Sequence, residues 1–265
     1  MKFDISRLLD SWEYKPGQVQ VRLLKGRDGV HKIQLRLDLG ILQMNAEGRP
    51  DGKRPLAHES LFHHFVSQLE KHRAAHDGSD EDFALNAEDC ARLQQEAIQY
   101  HHRYICFYQL GDYASVIRDT TRNLEVFDFV DEFAETDELS WALQQFRPQL
   151  LLMVTRAKGM IALEKKEFAA AAREVETGIA ALREFYSAFE RPDLAEQSGE
   201  IHSLEQWLEN LRNNSDKRSD KPEGEAPLGL TERQKLERAL QDAVSREDYE
   251  QAARVRDALR NLKAP

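Results

Sequence analysis

The sequence predicts an α+β protein that is mostly α: a small N-terminal β-hairpin domain, a body of repeated helices, and a tethered C-terminal helical hairpin. Three observations predict it. Apolar residues alternate with polar ones only near the N-terminus, helical spacing of three and four takes over later, and a stretch almost free of apolar residues sets off the last 36 residues. The boundaries drawn from these changes are 1–76, 77–212, 213–229 and 230–265.

In the N-terminal part, Val19, Val21 and Leu23 alternate with Gln20 and Arg22, and Ile33, Leu35, Leu37 and Leu39 alternate with Gln34, Arg36 and Asp38. Lys25-Gly-Arg-Asp-Gly29 between them supplies a turn, so the spacing predicts a β-hairpin with one wet face. Ile41 to Met44 forms a third short strand before the turn-rich segment from Gly48 to Pro55. A helix from about Glu59 to Arg73 follows, burying Leu61, Phe62, Phe65 and Leu69, because so small a sheet needs a cover for its apolar face. Trp12 and Tyr14 anchor the N-terminal arm to the core.

Residues 87–212 are helical in pattern, starting at an Asn86 N-cap with Asp89 three residues on. Pro148 should kink or restart the long helical segment between Leu139 and Lys165. Two units look alike: Ala97 to Phe129, turning at Leu110-Gly111-Asp112-Tyr113, and Thr155 to Tyr186, turning at Lys166-Glu167-Phe168. The second, with Gly159, Phe168, Ala171 and Gly178, resembles the tetratricopeptide (TPR) repeat, whose small residues let paired helices cross closely. The first departs from that pattern at Tyr104, Val116 and Asn123. The resemblance implies stacked helix pairs closed by a helix carrying Ile201, Leu204, Leu208 and Leu211, with Trp207 adding to its face. It also implies a concave face with Gln94, Arg103 and Arg156 as exposed floor residues, suited to a basic partner segment held in a salt-sensitive way.

The segment 213–229 carries Pro, Gly and mixed charge and is read as a flexible tether, spanning about 20–25 Å on average. Beyond it, Thr231 and Gln234 form a capping box, and Leu236, Leu240 and Ala243 recur on one helical face. A second face follows with Ala252, Val255, Leu259 and Leu262, and Arg246-Glu247-Asp248-Tyr249 lies between the two. An antiparallel helical hairpin follows from this spacing.

Together, Leu236, Leu240, Ala243-Val244, Glu247-Asp248-Tyr249-Glu250, Ala252-Ala253, Arg256-Asp257 and Leu259 resemble the UVR motif of the bacterial excision-nuclease subunits UvrB and UvrC. The resemblance implies a protein–protein contact without chemistry, through Leu236, Leu240, Ala243, Tyr249, Ala252, Val255, Leu259 and Leu262. Implied partners are the excision-repair machinery or a Clp-type chaperone or protease, with a homodimer as a further arrangement. A hairpin this short buries too little apolar surface to stand alone.

Composition narrows the rest. With 41% hydrophobic residues the chain can build a real core, yet its apolar runs are too short to cross a bilayer and no signal-peptide pattern opens it, so a cytoplasmic bacterial protein is expected. The net charge of −10 is uneven: residues 1–76 hold 13 Lys/Arg against 9 Asp/Glu, and residues 77–212 hold 13 against 27. An acidic body repels phosphate backbones, which leaves the face of Arg22, Lys32, Gln34 and Arg36, with Arg49, Lys53 and Arg54, as the one place for nucleic acid. Even there a solvated strand face is the plainer expectation. Cys90 and Cys106, without a Cys-x-x-Cys pattern, read as buried free thiols. His72 and His76 have the one-turn spacing of a zinc pair but no third ligand at a known spacing, and no catalytic signature occurs, so no metal, cofactor or enzymatic activity is expected.

Overall fold

The computed structural model describes residues 4–189 and 192–219. A short helix, α1 (Ser6–Asp10), precedes three strands, β1 (Gln20–Lys25), β2 (His31–Leu37) and β3 (Gly40–Asn45), which pair antiparallel in the order β1-β2-β3. Alternation places Ile33 and Leu35 of β2 beside Met44 on the core side. Gly26 N–H closes the β1–β2 loop on Val30 O at 2.7 Å, and Gly29 sits at φ +78°, a backbone that an L side chain resists.

The expected apolar run through Leu39 is cut short. Strand β2 ends at Leu37 and the chain reverses over Asp38-Leu39, leaving Leu39 87% exposed at the tip. The expected wet face also differs, because Gln34 and Arg36 are buried. The N-terminal arm lies over this face, with the Trp12 ring 4.1 Å from the Arg22 guanidinium and Tyr14 against Arg36. Arg36 donates to the carbonyls of Trp12, Leu37, Asp38 and Gly40, so one cation ties the arm to the β2–β3 turn.

Helix α2 (Leu61–Ala75) buries Leu61, Phe65 and Leu69, with Phe62 half-buried, as the spacing predicts. Helix α3 (Ala87–Leu110) begins where expected, its Asn86 side chain accepting from the N–H groups of Glu88 and Asp89. Gly111 in the left-handed region ends α3, Asp112 caps α4 (Tyr113–Phe133), and Asp112 N–H reaches back to Phe107 O at 3.0 Å.

The predicted restart at Pro148 is real. Helix α5 (Asp137–Gln144), capped by Thr136, stops, and α6 (Arg147–Glu164) begins with the proline in its first turn, where a missing N–H costs nothing. Helices α7 (Phe168–Ala188), α8 (Pro192–Gln197) and α9 (Gly199–Ser219) follow, α9 continuing past Asn213 into the segment read as tether.

One apolar core joins Ile33, Leu35 and Met44 of the sheet and Phe65 of α2 to Leu93 and Tyr104 of α3 and Val116 and Val130 of α4. A second core joins Ala162 of α6 and Ala171, Val175, Ile179 and Leu182 of α7 to Ile201, Leu204, Leu208 and Leu211 of α9. Glycine makes the second one possible. A Cβ on Gly159 would come 2.5 Å from the Trp207 ring, and one on Gly178 would collide with the Thr155 side chain. The described residues up to Ser215 belong to one compact unit; the second unit runs from Asp216 to Pro265, and only the end of α9 within it is described.

Candidate functional site

The contact residues expected for the hairpin, Leu236, Leu240, Ala243, Tyr249, Ala252, Val255, Leu259 and Leu262, lie outside the described residues. Within the body, a cleft of about 390 Å³ opens between α3, α4 and the first turns of α6. One stripe of α3 lines it at helical spacing: Gln94, Ala97, Ile98 and His101. Phe127 of α4 and Phe146, Gln149 and Leu150 at the start of α6 complete the walls. Ile98 and Phe146 stand at the rim, 41% and 52% exposed.

Polar groups on the walls are fixed by their neighbours. Tyr104 OH and His101 Nδ1 are hydrogen-bonded at 2.6 Å, Gln94 Nε2 donates to Ala142 O at 3.0 Å, and Asn123 Nδ2 donates to Ala97 O at 2.9 Å. Burial pushes the Tyr104 hydroxyl up, and burial together with neighbouring His102 pulls the His101 imidazole below its ordinary range. Both groups are therefore uncharged at neutral pH, and no lining residue is a carboxylate, ammonium or guanidinium.

Of the three floor residues expected from sequence, only Gln94 lines this cleft. Arg103 is 1% exposed rather than open to a groove. Its Nε and Nη2 donate to Asp119 at 2.7 and 2.9 Å, and its Nη1 donates to Asn45 O and Gly48 O at 3.0 and 2.7 Å. The reason is angular: Arg103 lies two positions past His101 on α3 and so points to α4 and to the loop after β3. Arg156 turns to α9, where Nη2 donates to Ser203 Oγ at 2.6 Å.

The proposed basic face does not assemble as a patch. Arg22 packs on Trp12 and donates to Gln34, Lys32 pairs with Asp28 at 2.8 Å, Arg36 is spent on carbonyls, and Arg49 pairs with Glu96 and Asp51. Lys53 and Arg54 remain exposed. Near the end of α4, Asp128 pairs with Arg147 and Asp131 accepts from Ser140.

The His72 and His76 rings stack at 4.1 Å with ring nitrogens on the carbonyls of Glu81 and His72. Among the described residues no group of three or more His, Cys, Asp or Glu is placed to hold a metal ion. Cys90 and Cys106 are buried, and burial lifts their thiols to about 11 and about 12, which keeps both protonated and poorly nucleophilic.

Sequence reasoning passed over Ile98, His101 and Phe146. The signal was there for the α3 pair: Gln94, Ala97, Ile98 and His101 make an i, i+3, i+4, i+7 stripe separate from the one that carries Leu93, Tyr100 and Phe107 into the core.

The comparisons with known proteins fall on the C-terminus. Residues 231–264 match the family model of the UvrB/uvrC motif, UVR. No curated protein and no solved structure matches the chain. No helix among the described residues is long and apolar enough to cross a membrane. The chain thus carries a UVR motif, a module known from UvrB/UvrC-type interaction, beyond a mostly helical body with a small three-stranded sheet.

Proposed function

We propose that this protein is a non-enzymatic, cytoplasmic adaptor that engages a protein partner through its UVR hairpin. The observation that carries the reading is the motif match at residues 231–264. Its apolar positions Leu236, Leu240, Val255 and Leu259 recur at helical spacing, and a hairpin of that size gains stability by packing on another surface. The first candidate partner is the excision-repair pair UvrB and UvrC; a Clp-type chaperone or protease and a second copy of this chain are the alternatives. The body, whose helix pairs α3/α4 and α6/α7 turn over left-handed Gly111 and Lys166, is read as TPR-like.

The full chain and its Leu240→Asp/Leu259→Asp variant should be titrated separately against purified UvrB, UvrC and a Clp ATPase, with light scattering to follow self-association. Burying two carboxylates in an apolar seam costs several kcal/mol, roughly a hundred-fold or more in affinity. Binding that survives the double substitution unchanged would remove the hairpin as the contact. Loss of self-association alone would select the homodimer.

A further inference from the structure

We propose that the cleft between α3, α4 and α6 is a binding site for an uncharged, mostly apolar small molecule with a hydrogen-bonding edge. At about 390 Å³ it has the size of a small-ligand pocket, and its make-up is the usual one, an apolar lining with a few convergent polar groups. Ile98 and Phe146 are left exposed at its rim, so a ligand that covers them removes apolar area from water.

The class of ligand follows from charge. Most of the surrounding body is acidic, yet every residue lining this cleft is neutral, and His101 is held neutral by its burial. An ionic ligand would shed its hydration there and meet no counter-charge, whereas a neutral one gives up little.

Hydrogen-bond accounting then selects the edge. The Tyr104 hydroxyl is taken by His101 and the Asn123 amide by Ala97 O and Arg122. His101 Nε2, the Gln94 Oε1 carbonyl and the Gln149 amide have no partner among the described residues. They lie on walls that face the same space, so a ligand bearing both a donor and an acceptor can satisfy them.

The test uses two dyes that share a ring system and differ by one sulfonate. N-phenyl-1-naphthylamine is neutral with one N–H; 1-anilinonaphthalene-8-sulfonate is its anionic counterpart. Titrated into the full-length protein, the neutral dye should bind saturably at one site and roughly ten-fold or more tighter than the sulfonate. Ile98→Asp at the exposed rim should weaken the neutral dye by about the same factor without moving the melting midpoint. Leu39→Asp, at an exposed apolar residue of the β2–β3 turn that does not line the cleft, should leave it unchanged. Ala97→Leu, which fills the floor, should also abolish the site; because Ala97 is buried, that variant is read only if its melt remains cooperative.

Absence of saturable binding, equal affinity for the sulfonate, or full retention in Ile98→Asp would each overturn the proposal. The hairpin reading stands apart, since its Leu240→Asp/Leu259→Asp variant should titrate with the dye like the unmodified chain.

Discussion

The helix pairs α3/α4 and α6/α7 reverse direction by the same device and pack by opposite means. In both, a left-handed residue ends the first helix, and the next N–H bonds to a carbonyl five residues back: Asp112 to Phe107, and Glu167 to Ala162. Inside, α3/α4 buries Glu96, Arg103, Asp119 and Asn123, while α6/α7 closes on alanine, valine, isoleucine, leucine and Gly178.

The difference lies in what each pair covers. The first pair packs on the end of β3, the loop after it and the start of α2, where Asn45 O, Ala46 O, Gly48 O, Leu61 N–H and Phe62 N–H need partners, and charged side chains satisfy them. Among the described residues the apolar core of the second pair is completed by helix α9, so close contact suffices. In the first pair, buried charge meets backbone groups that their own strand or helix leaves without a partner.

The strongest way to break that contrast is Arg103→Met, which leaves the buried Asp119 carboxylate with Arg118 Nε as its remaining cation and strands the carbonyls of Asn45 and Gly48 in the core. It should cost about 3–5 kcal/mol in urea unfolding. Adding Asp119→Leu should cost less than the sum of the two single changes, since no unpaired charge is then left behind. Additive costs would mean that the pair is not the unit of stability here.

In the second pair the sensitive variable is volume. Gly178→Val should lose about 1–3 kcal/mol by collision with Thr155, with Thr155→Ala restoring part of it. A neutral Gly178→Val would show that α6 and α7 can slide apart.

The shared turn sharpens the comparison further. Gly111→Ala should cost about 1–2 kcal/mol, because φ +77° is unfavourable for a side chain. Lys166 already accepts that penalty at φ +62°, so Lys166→Gly should gain a few tenths, the relief being offset by a looser unfolded chain.

The smallest effect is one of pH. His101 has a folded-state pKa below its ordinary value, so the unfolded chain takes up a proton first as pH drops through about 6.5. Stability should hold above that point and decline below it. His101→Gln should flatten the slope, while α6 and α7, which carry no histidine, contribute none of it.

Much of this contrast was legible in the sequence. Alternation located the strands, Asn86 and Pro148 fixed two helix starts, and Gly159 and Gly178 announced close packing. Arg103 was misplaced because a cation at helical spacing looks solvated, and nothing in one helix's periodicity says which loop will later need a donor. The sign was its position: seven residues after Glu96 and next to Tyr104, Arg103 sits on the apolar face of α3. The cleft was half legible, through Gln94, because its other wall comes from the start of α6, whose distance from α3 is set by tertiary packing alone.

Glu96 has a further consequence. From the middle of α3 its carboxylate accepts from Leu61 N–H at 2.8 Å and Phe62 N–H at 3.3 Å, the first two donors of α2, while Ser60 takes the third. A helix start is ordinarily finished by its own neighbours; this one is finished by a residue 35 positions downstream. The first turn of α2 therefore closes only after α3 has arrived. In hydrogen–deuterium exchange the Leu61 and Phe62 amides should open together with the α2–α3 contact rather than fray as an ordinary helix end does.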